Sequence, residues 1–111
     1  MKISVKIKNR INQLEMNADT EKEGCVIDDI KYDVNVNSVV LRLYAYTHDW
    51  PQNLKNERII DGESYSVIIE SEKEIKKYSG EGSFPTNYNE FKRYIFNIKE
   101  KKAIITADCT Q

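Results

Sequence analysis

The stretch VVLRLYAYTHDW, residues 39–50, decides how the fold is predicted from this sequence. Side chains alternate between the two faces of a β-strand, and residues 39–47 alternate in the same way. An extended conformation would turn every second side chain toward a core: Val39, Leu41, Leu43, Ala45 and Thr47. The opposite face would carry a polar and aromatic row: Arg42, Tyr44, Tyr46 and His48. We therefore predict a strand over residues 39–47.

The same alternation elsewhere predicts an antiparallel sheet built from hairpins. Hydrophobic residues at every second position indicate strands near residues 3–7, 14–18, 25–27, 30–36, 65–69 and 75–79. Asn37-Ser38 and Asp61-Gly62 are candidate two-residue turns between strands, and glycine adopts the positive φ of such turns at little cost. The sequence thus predicts a β-meander in which successive strands are neighbours in the sheet.

Residues 87–98, NYNEFKRYIFNI, change to the helical period. Tyr88, Phe91 and Ile95 recur at helical spacing, and Asn87 followed by Glu90 resembles a capping box. The run AIITADC, residues 103–109, indicates a last strand. We expect an α+β fold: an antiparallel β-meander or hairpin sheet, one helix at about residues 87–98 packed on one face, and a final strand.

Length and composition indicate one globular domain spanning residues 1–111. Its 40% hydrophobic and 32% charged residues are ordinary for such a domain. No apolar run approaches the roughly 18 residues of a membrane-spanning helix, and the N-terminus lacks the apolar segment of a signal peptide. Cys25 and Cys109 stand far apart without a CxxC pattern, which is typical of reduced thiols. We predict a cytoplasmic protein without a membrane partner.

Charge is balanced over the chain but unevenly placed. Lysine and arginine total 17 against 18 acidic residues, so no overall charge attracts nucleic acid. Residues 15–33 contain seven acidic and two basic residues, whereas residues 91–102 contain five basic and one acidic residue. We expect the acidic region to provide an electrostatic flank that steers a partner. Its members are Asp19, Glu21, Glu23, Asp28 and Asp29.

No pattern in the sequence points to catalytic, metal or cofactor chemistry. His48 is the only histidine, and on a strand Asp49 would point to the opposite face, so the two do not form a base and its orienting carboxylate. Oxygen-bearing residues from Asn17 to Asp28 weakly resemble a calcium loop, but Lys22 stands where that loop requires glycine. The sequence GEGSFP, residues 80–85, lacks the spacing of phosphate-binding loops. We predict no enzyme activity, no metal and no cofactor.

The candidate partner-binding residues lie within residues 39–50. Tyrosine, tryptophan and arginine are enriched at the energetic centres of protein interfaces. The predicted contact set is Arg42, Tyr44, Tyr46, His48 and Trp50. Two alternatives stay open: the tyrosines either contact a partner or pair with Tyr32 or Tyr65 across the sheet. Trp50 likewise either docks on a partner or folds back onto the sheet.

Three hypotheses for function follow. The first is a non-enzymatic protein-binding domain that masks a surface of its partner, as an inhibitor, an immunity-type protein or an anti-defence protein of a mobile element does. Its acidic flank favours a basic partner, such as a nucleic-acid-handling enzyme. The second is a nucleic-acid or nucleotide-binding module that uses the same strand face with Lys92, Arg93, Lys99, Lys101 and Lys102. The third is a structural homodimer, in which the same row of side chains, including Tyr46, lies on an edge strand and forms the interface.

Overall fold

A computed structural model describes residues 1–22, 24–55 and 62–109, and for residues 55 and 101–109 it describes the backbone alone. Within them the elements are β1 (Lys2–Lys8), β2 (Gln13–Asp19), β3 (Gly24–Ile27), β4 (Ile30–Tyr32), α1 (Val36–Thr47), β5 (Asn53–Lys55), β6 (Ser64–Glu70), β7 (Ile75–Glu81) and α2 (Tyr88–Cys109). The strands form one sheet in the order β4-β3-β2-β1-β6-β7-β5. Every pair is antiparallel except β5 with β7. The predicted α+β class, the antiparallel sheet and a helix in the C-terminal half are confirmed.

The central strands bury one face and leave the other open. Ile3, Val5 and Ile7 of β1 are buried. Their cross-strand partners are buried as well: Leu14, Met16 and Ala18 in β2, and Tyr65, Val67 and Ile69 in β6. Both helices pack on this face, and no described element covers the opposite face. The strands predicted near residues 3–7, 14–18, 25–27, 65–69 and 75–79 are therefore confirmed.

The strand predicted over residues 39–47 is wrong, because these residues belong to α1. The helix buries one stripe at helical spacing: Val36, Val39, Val40, Leu43 and Thr47. Asn35 caps the first turn, since its side-chain oxygen accepts a hydrogen bond from the Ser38 amide at 3.0 Å. Asn37 and Ser38 consequently lie inside the helix rather than in a hairpin turn, and β4 ends at Tyr32.

The final strand predicted at residues 103–109 is also wrong, because α2 continues to Cys109. No glycine or proline interrupts the sequence between Tyr88 and Cys109, and the lysine and glutamate residues after Ile98 are good helix formers. The α2 helix begins at Tyr88, one residue after the predicted start. In the described parts of the chain, neither helix has the length and hydropathy needed to cross a membrane.

Two ion pairs hold α2 against the sheet. Lys92 Nζ lies 2.6 Å from Glu63 Oε1, and Lys99 Nζ lies 2.8 Å from Asp28 Oδ2. Burial pushes the pKa of the Glu63 carboxyl upward, but hydrogen bonds from Lys92 and Tyr88 outweigh burial and hold that pKa below its ordinary value. Both carboxylates therefore stay charged at neutral pH and anchor the helix.

A tight two-residue turn connects β3 to β4. Ile27 pairs directly with Ile30, and the two residues between them have positive φ, 51° at Asp28 and 68° at Asp29. Positive φ at both central positions is what a type I′ hairpin turn requires. The other predicted two-residue turn, Asp61-Gly62, lies partly outside the described residues, because Asp61 is not among them.

Candidate partner-binding site

The five predicted contact residues do not share one open face. On a helix, positions two apart point roughly 200° away from each other around the axis. Arg42 and His48 are exposed, Tyr44 and Tyr46 are half-buried, and Trp50 is buried. Because residues 36–47 are helical, the side chains of the predicted row point in different directions and contact different neighbours.

The two tyrosines of α1 contact different parts of the protein. Tyr44 faces β7, where Lys76 Nζ donates a hydrogen bond to its hydroxyl at 3.3 Å. Tyr46 faces α2, and its ring centre lies 6.1 Å from that of Tyr94. The Arg42 guanidinium lies over the Tyr94 ring at 5.7 Å. Neither tyrosine pairs across the sheet as the packing alternative expected, because neither is on a strand.

Trp50 folds back onto the core, which was one of its two predicted alternatives. It is 6% exposed, and its ring centre lies 4.8 Å from that of Phe91 and 5.5 Å from that of Tyr65. Its Nε1 donates a hydrogen bond to Asn87 Oδ1 at 2.6 Å. Asn87 Nδ2 in turn donates to the Tyr46 carbonyl oxygen at 2.8 Å. The Asn87 side chain, predicted to take part in a capping box, thereby joins the end of α1 to the start of α2.

The predicted acidic flank is divided between the two ends of β3. Asp19 and Glu21 lie at the β2–β3 turn, where they border a shallow depression. Four other charged residues border the same depression: Lys2, Glu70, Glu72 and Lys73. Asp28 and Asp29 lie roughly 13 Å away at the β3–β4 turn, given the rise of about 3.3 Å per strand residue. The Asp28 carboxylate accepts hydrogen bonds from the Lys99 ammonium and from the Glu15 amide. Glu23 lies outside the described residues.

A cleft opens where the C-terminal end of α1, β5 and the loop before α2 meet. We call it the aromatic cleft, and its principal lining residues are Tyr46, Asp49, Trp50, Pro51, Leu54, Phe84 and Pro85. Its volume is about 490 Å³. Phe84 stacks on Tyr88 with 4.6 Å between ring centres, yet it remains 38% exposed. The cleft therefore offers a concave surface of mixed character, in which aromatic and aliphatic side chains stand beside Asp49 and Asn87.

Both prolines of the chain contribute to the aromatic cleft, and each directly follows an aromatic residue. Proline fixes its own φ, lacks an amide hydrogen and pushes the preceding residue toward an extended conformation. Trp50-Pro51 thus directs the chain away from α1, and Phe84-Pro85 stands just before α2. Leu54, Phe84 and the prolines were missing from the predicted site. The repeated aromatic-proline pair was the signal in the sequence that could have identified them.

Two polar side chains at or near the aromatic cleft differ in their partners. Asp49 is the only charged residue among the described lining residues, and its side chain is fully exposed, 3.8 Å from His48 Nδ1. The Tyr65 hydroxyl is buried and has no hydrogen-bond partner among the described residues. It lies over Gly80, and Gly80 pairs with Leu54 of the cleft wall. Burial raises the pKa of Tyr65, so this hydroxyl stays neutral.

Neither metal ligation nor similarity to another protein identifies a chemistry for this site. Within the part of the chain that the structure describes, no three His, Cys, Asp or Glu side chains are placed to hold a metal ion. Comparison with models of known protein families, with curated proteins and with solved structures finds no match to this chain. The function must therefore be argued from the contacts, burial and charges of its own residues.

Proposed function

We propose that this chain is a small, non-enzymatic protein-binding domain that masks a surface of a partner protein through the aromatic cleft and the adjoining face of α1. The observation that carries the proposal is the cleft itself. Two segments far apart in the sequence, residues 45–54 and 84–87, place aromatic and aliphatic side chains around a cleft of about 490 Å³, and Phe84 stays 38% exposed there. Pockets of this kind accept the anchoring side chains that dominate binding energy at protein interfaces.

The exposed face of α1 leads into the aromatic cleft and extends the proposed contact surface. Leu41 is 64% exposed, and Ala45 follows one helical turn later, at the wall of the cleft. Arg42 lies beside this stripe and His48 near its end. A standard interface covers about 800 Å² on each partner, roughly a tenth of the accessible surface of 7718 Å² here. A contact of that class would cover the stripe, the cleft and the exposed residues around them.

The revised contact surface keeps part of the predicted set. Arg42, Tyr46, His48 and Trp50 lie on or beside it, whereas Tyr44 faces β7 and is left out. Asp49 gives the cleft a negative charge. This charge favours a basic partner, such as a nucleic-acid-handling enzyme, and fits an inhibitor, an immunity-type protein or an anti-defence protein. Asp19 and Glu21 add acidic side chains at one end of the sheet, beside Lys2 and Lys73.

A cytoplasmic location is part of the proposal. Cys25 is a free thiol buried in the core, and burial raises its pKa to about 11. Such a thiol is unreactive and compatible with a reducing compartment. The Cys109 side chain lies outside the described residues.

The nucleic-acid and homodimer hypotheses have less support from the geometry. Lys92 and Lys99, two of the five basic residues invoked for phosphate contacts, form ion pairs with Glu63 and Asp28. The homodimer hypothesis placed Tyr46 on an edge strand, but Tyr46 lies on α1. Protein binding therefore remains the leading function.

The test compares two variants that add the same side chain to an exposed helix position. In Ala45→Arg the new side chain obstructs the aromatic cleft, and in Asn97→Arg it projects from α2, outside the lining of the cleft. Tagged wild-type protein and both variants are expressed in the native host, crosslinked and purified. We expect a partner that is recovered with the wild type and Asn97→Arg but is depleted about tenfold with Ala45→Arg. Equal recovery of every captured protein with all three chains would refute the proposal.

A further inference from the structure

We propose that the side chain which the aromatic cleft accepts from its partner is an arginine. This inference rests on the proposed function, because it names the chemistry of the residue that enters the same cleft. Two properties of the cleft carry it: aromatic rings line its wall, and one carboxylate, fully exposed at its rim, has no permanent positive partner among the described residues.

The aromatic lining favours a cation with a flat, polarisable head. Tyr46, Trp50 and Phe84 all border the cleft. The face of an aromatic ring attracts a positive charge, and the planar guanidinium group also stacks on such a face. The protein itself forms this contact a short distance away, where the Arg42 guanidinium lies 5.7 Å from the centre of the Tyr94 ring.

The carboxylate of Asp49 provides charge complementarity. Among the described residues, the only ion-pair neighbour of Asp49 is His48 at 3.8 Å, and histidine carries a charge only when it is protonated. Glu63 and Asp28, by contrast, are each held by a lysine ammonium at 2.6 Å and 2.8 Å. A cationic group at the rim of the cleft can pair with Asp49, whereas a purely apolar group gains nothing from this charge.

Arginine fits both properties better than lysine does. Its guanidinium group is more weakly hydrated than an ammonium group, and it can donate two hydrogen bonds to one carboxylate. Its methylene groups can cover Leu54 and Pro51 while the charged head reaches Asp49 at the exposed rim. A lysine offers the charge and the methylene groups but lacks the planar head.

The experiment uses Trp50, the single tryptophan of the chain, as the reporter. Its indole N–H gives one NMR signal from the wall of the cleft. The full chain is titrated with three probes that share a backbone: N-acetyl-arginine amide, N-acetyl-lysine amide and N-acetyl-norleucine amide. We expect the signal to shift saturably with the arginine probe at about tenfold lower concentration than with the norleucine probe, and lysine to fall between them. The difference between arginine and norleucine should shrink as salt is added.

Two matched variants assign the preference to Asp49. Asp49→Asn removes the charge at the cleft, and Glu90→Gln removes an exposed charge from the first turn of α2, outside the lining of the cleft. Asp49→Asn should abolish the advantage of arginine over norleucine, and Glu90→Gln should keep it.

Three results would overturn the arginine inference: equal binding of arginine and norleucine, unchanged arginine binding by Asp49→Asn, or no response of Trp50 to any probe. None of them by itself refutes the proposed function, which depends on the loss of partner recovery with Ala45→Arg. Equal binding of arginine and norleucine would point instead to an apolar side chain in the same cleft.

Discussion

Two segments of this protein have similar compositions and opposite structures. Residues 64–70, SYSVIIE, form the strand β6, and residues 36–47, VNSVVLRLYAYT, form the helix α1. Both are rich in β-branched and tyrosine residues, which are enriched in strands. In β6 the buried side chains fall at every second position, at Tyr65, Val67 and Ile69. In α1 they follow the helical period.

The difference shows that strand propensity decides little when two periods fit the same residues. Leu41 and Leu43 share a face in a strand but not in a helix, and the structure separates them: Leu43 is 0% exposed and Leu41 is 64% exposed. Val40 would point outward in the strand, but it is 1% exposed in the helix. The four residues before Val39 decide the outcome, because Val36 extends the buried stripe by a full turn and Asn35 supplies the cap.

The largest effect expected from this comparison comes from the two leucines of α1. Leu43→Ala empties a filled core position and should lower the free energy of unfolding by about 3 kcal/mol. Leu41→Ala removes an exposed side chain and should change it by less than about 0.5 kcal/mol. Urea denaturation followed by the fluorescence of Trp50 measures both. Equal losses would contradict the helix, because only a strand turns both leucines toward the core.

The parts of the fold that could be predicted are those in which the hydrophobic residues fit a single period. Strands β1, β2 and β6 have one polar and one apolar face, so a single period fits them. Residues 39–47 fit two periods, and the sequence between Ile98 and Cys109 lacks the glycine or proline that would mark where α2 ends. Propensity alone cannot resolve either case.

The candidate site was harder to predict than the fold. Its lining comes from residues 45–54, which include the end of α1 and Leu54 of β5, and from residues 84–87, and nothing local links these two segments. The sequence did single out Trp50 and Tyr46, because of their residue types. It could not show that a helix would turn Tyr44 toward β7 and leave Ala45 at the rim.

A second prediction tests the strand side of the comparison. Tyr65 of β6 lies across Gly80 of β7, and a Cβ atom added to Gly80 would overlap with the Tyr65 ring. Gly80→Ala should therefore displace the ring and lower the free energy of unfolding by about 2 kcal/mol. The control is Gly24→Ala in β3, where the nearest atom to the added Cβ is the Lys22 carbonyl oxygen at 3.7 Å. Thermal unfolding should separate the two variants, and matching melting temperatures would show that Tyr65 does not depend on that space.

A third prediction asks what the hydroxyl groups of two buried tyrosines contribute. Tyr88 donates a hydrogen bond to Glu63 Oε2 at 2.6 Å, whereas the Tyr65 hydroxyl has no partner among the described residues. Tyr88→Phe should lower the free energy of unfolding by about 1.5 kcal/mol, because it removes a hydrogen bond to a charged group. Tyr65→Phe should leave the free energy of unfolding unchanged or raise it. A loss with Tyr65→Phe as large as that with Tyr88→Phe would show that β6 relies on this hydroxyl as well as on the ring.

The smallest effect distinguishes two identical substitutions at the start of α1. Asn35→Ala removes the side-chain oxygen that accepts a hydrogen bond from the Ser38 amide and should cost about 1 kcal/mol. Asn37→Ala places a better helix former at an exposed position inside the first turn. It should raise the free energy of unfolding by a few tenths of a kcal/mol, roughly the difference in helix propensity between the two residues. Asn35→Asp should retain the cap and most of the stability. Chemical denaturation of the three variants measures these differences. If Asn35→Ala were harmless, the cap would not explain why residues 36–47 form a helix, and the tertiary burial of Val36, Val40 and Leu43 would have to be sufficient.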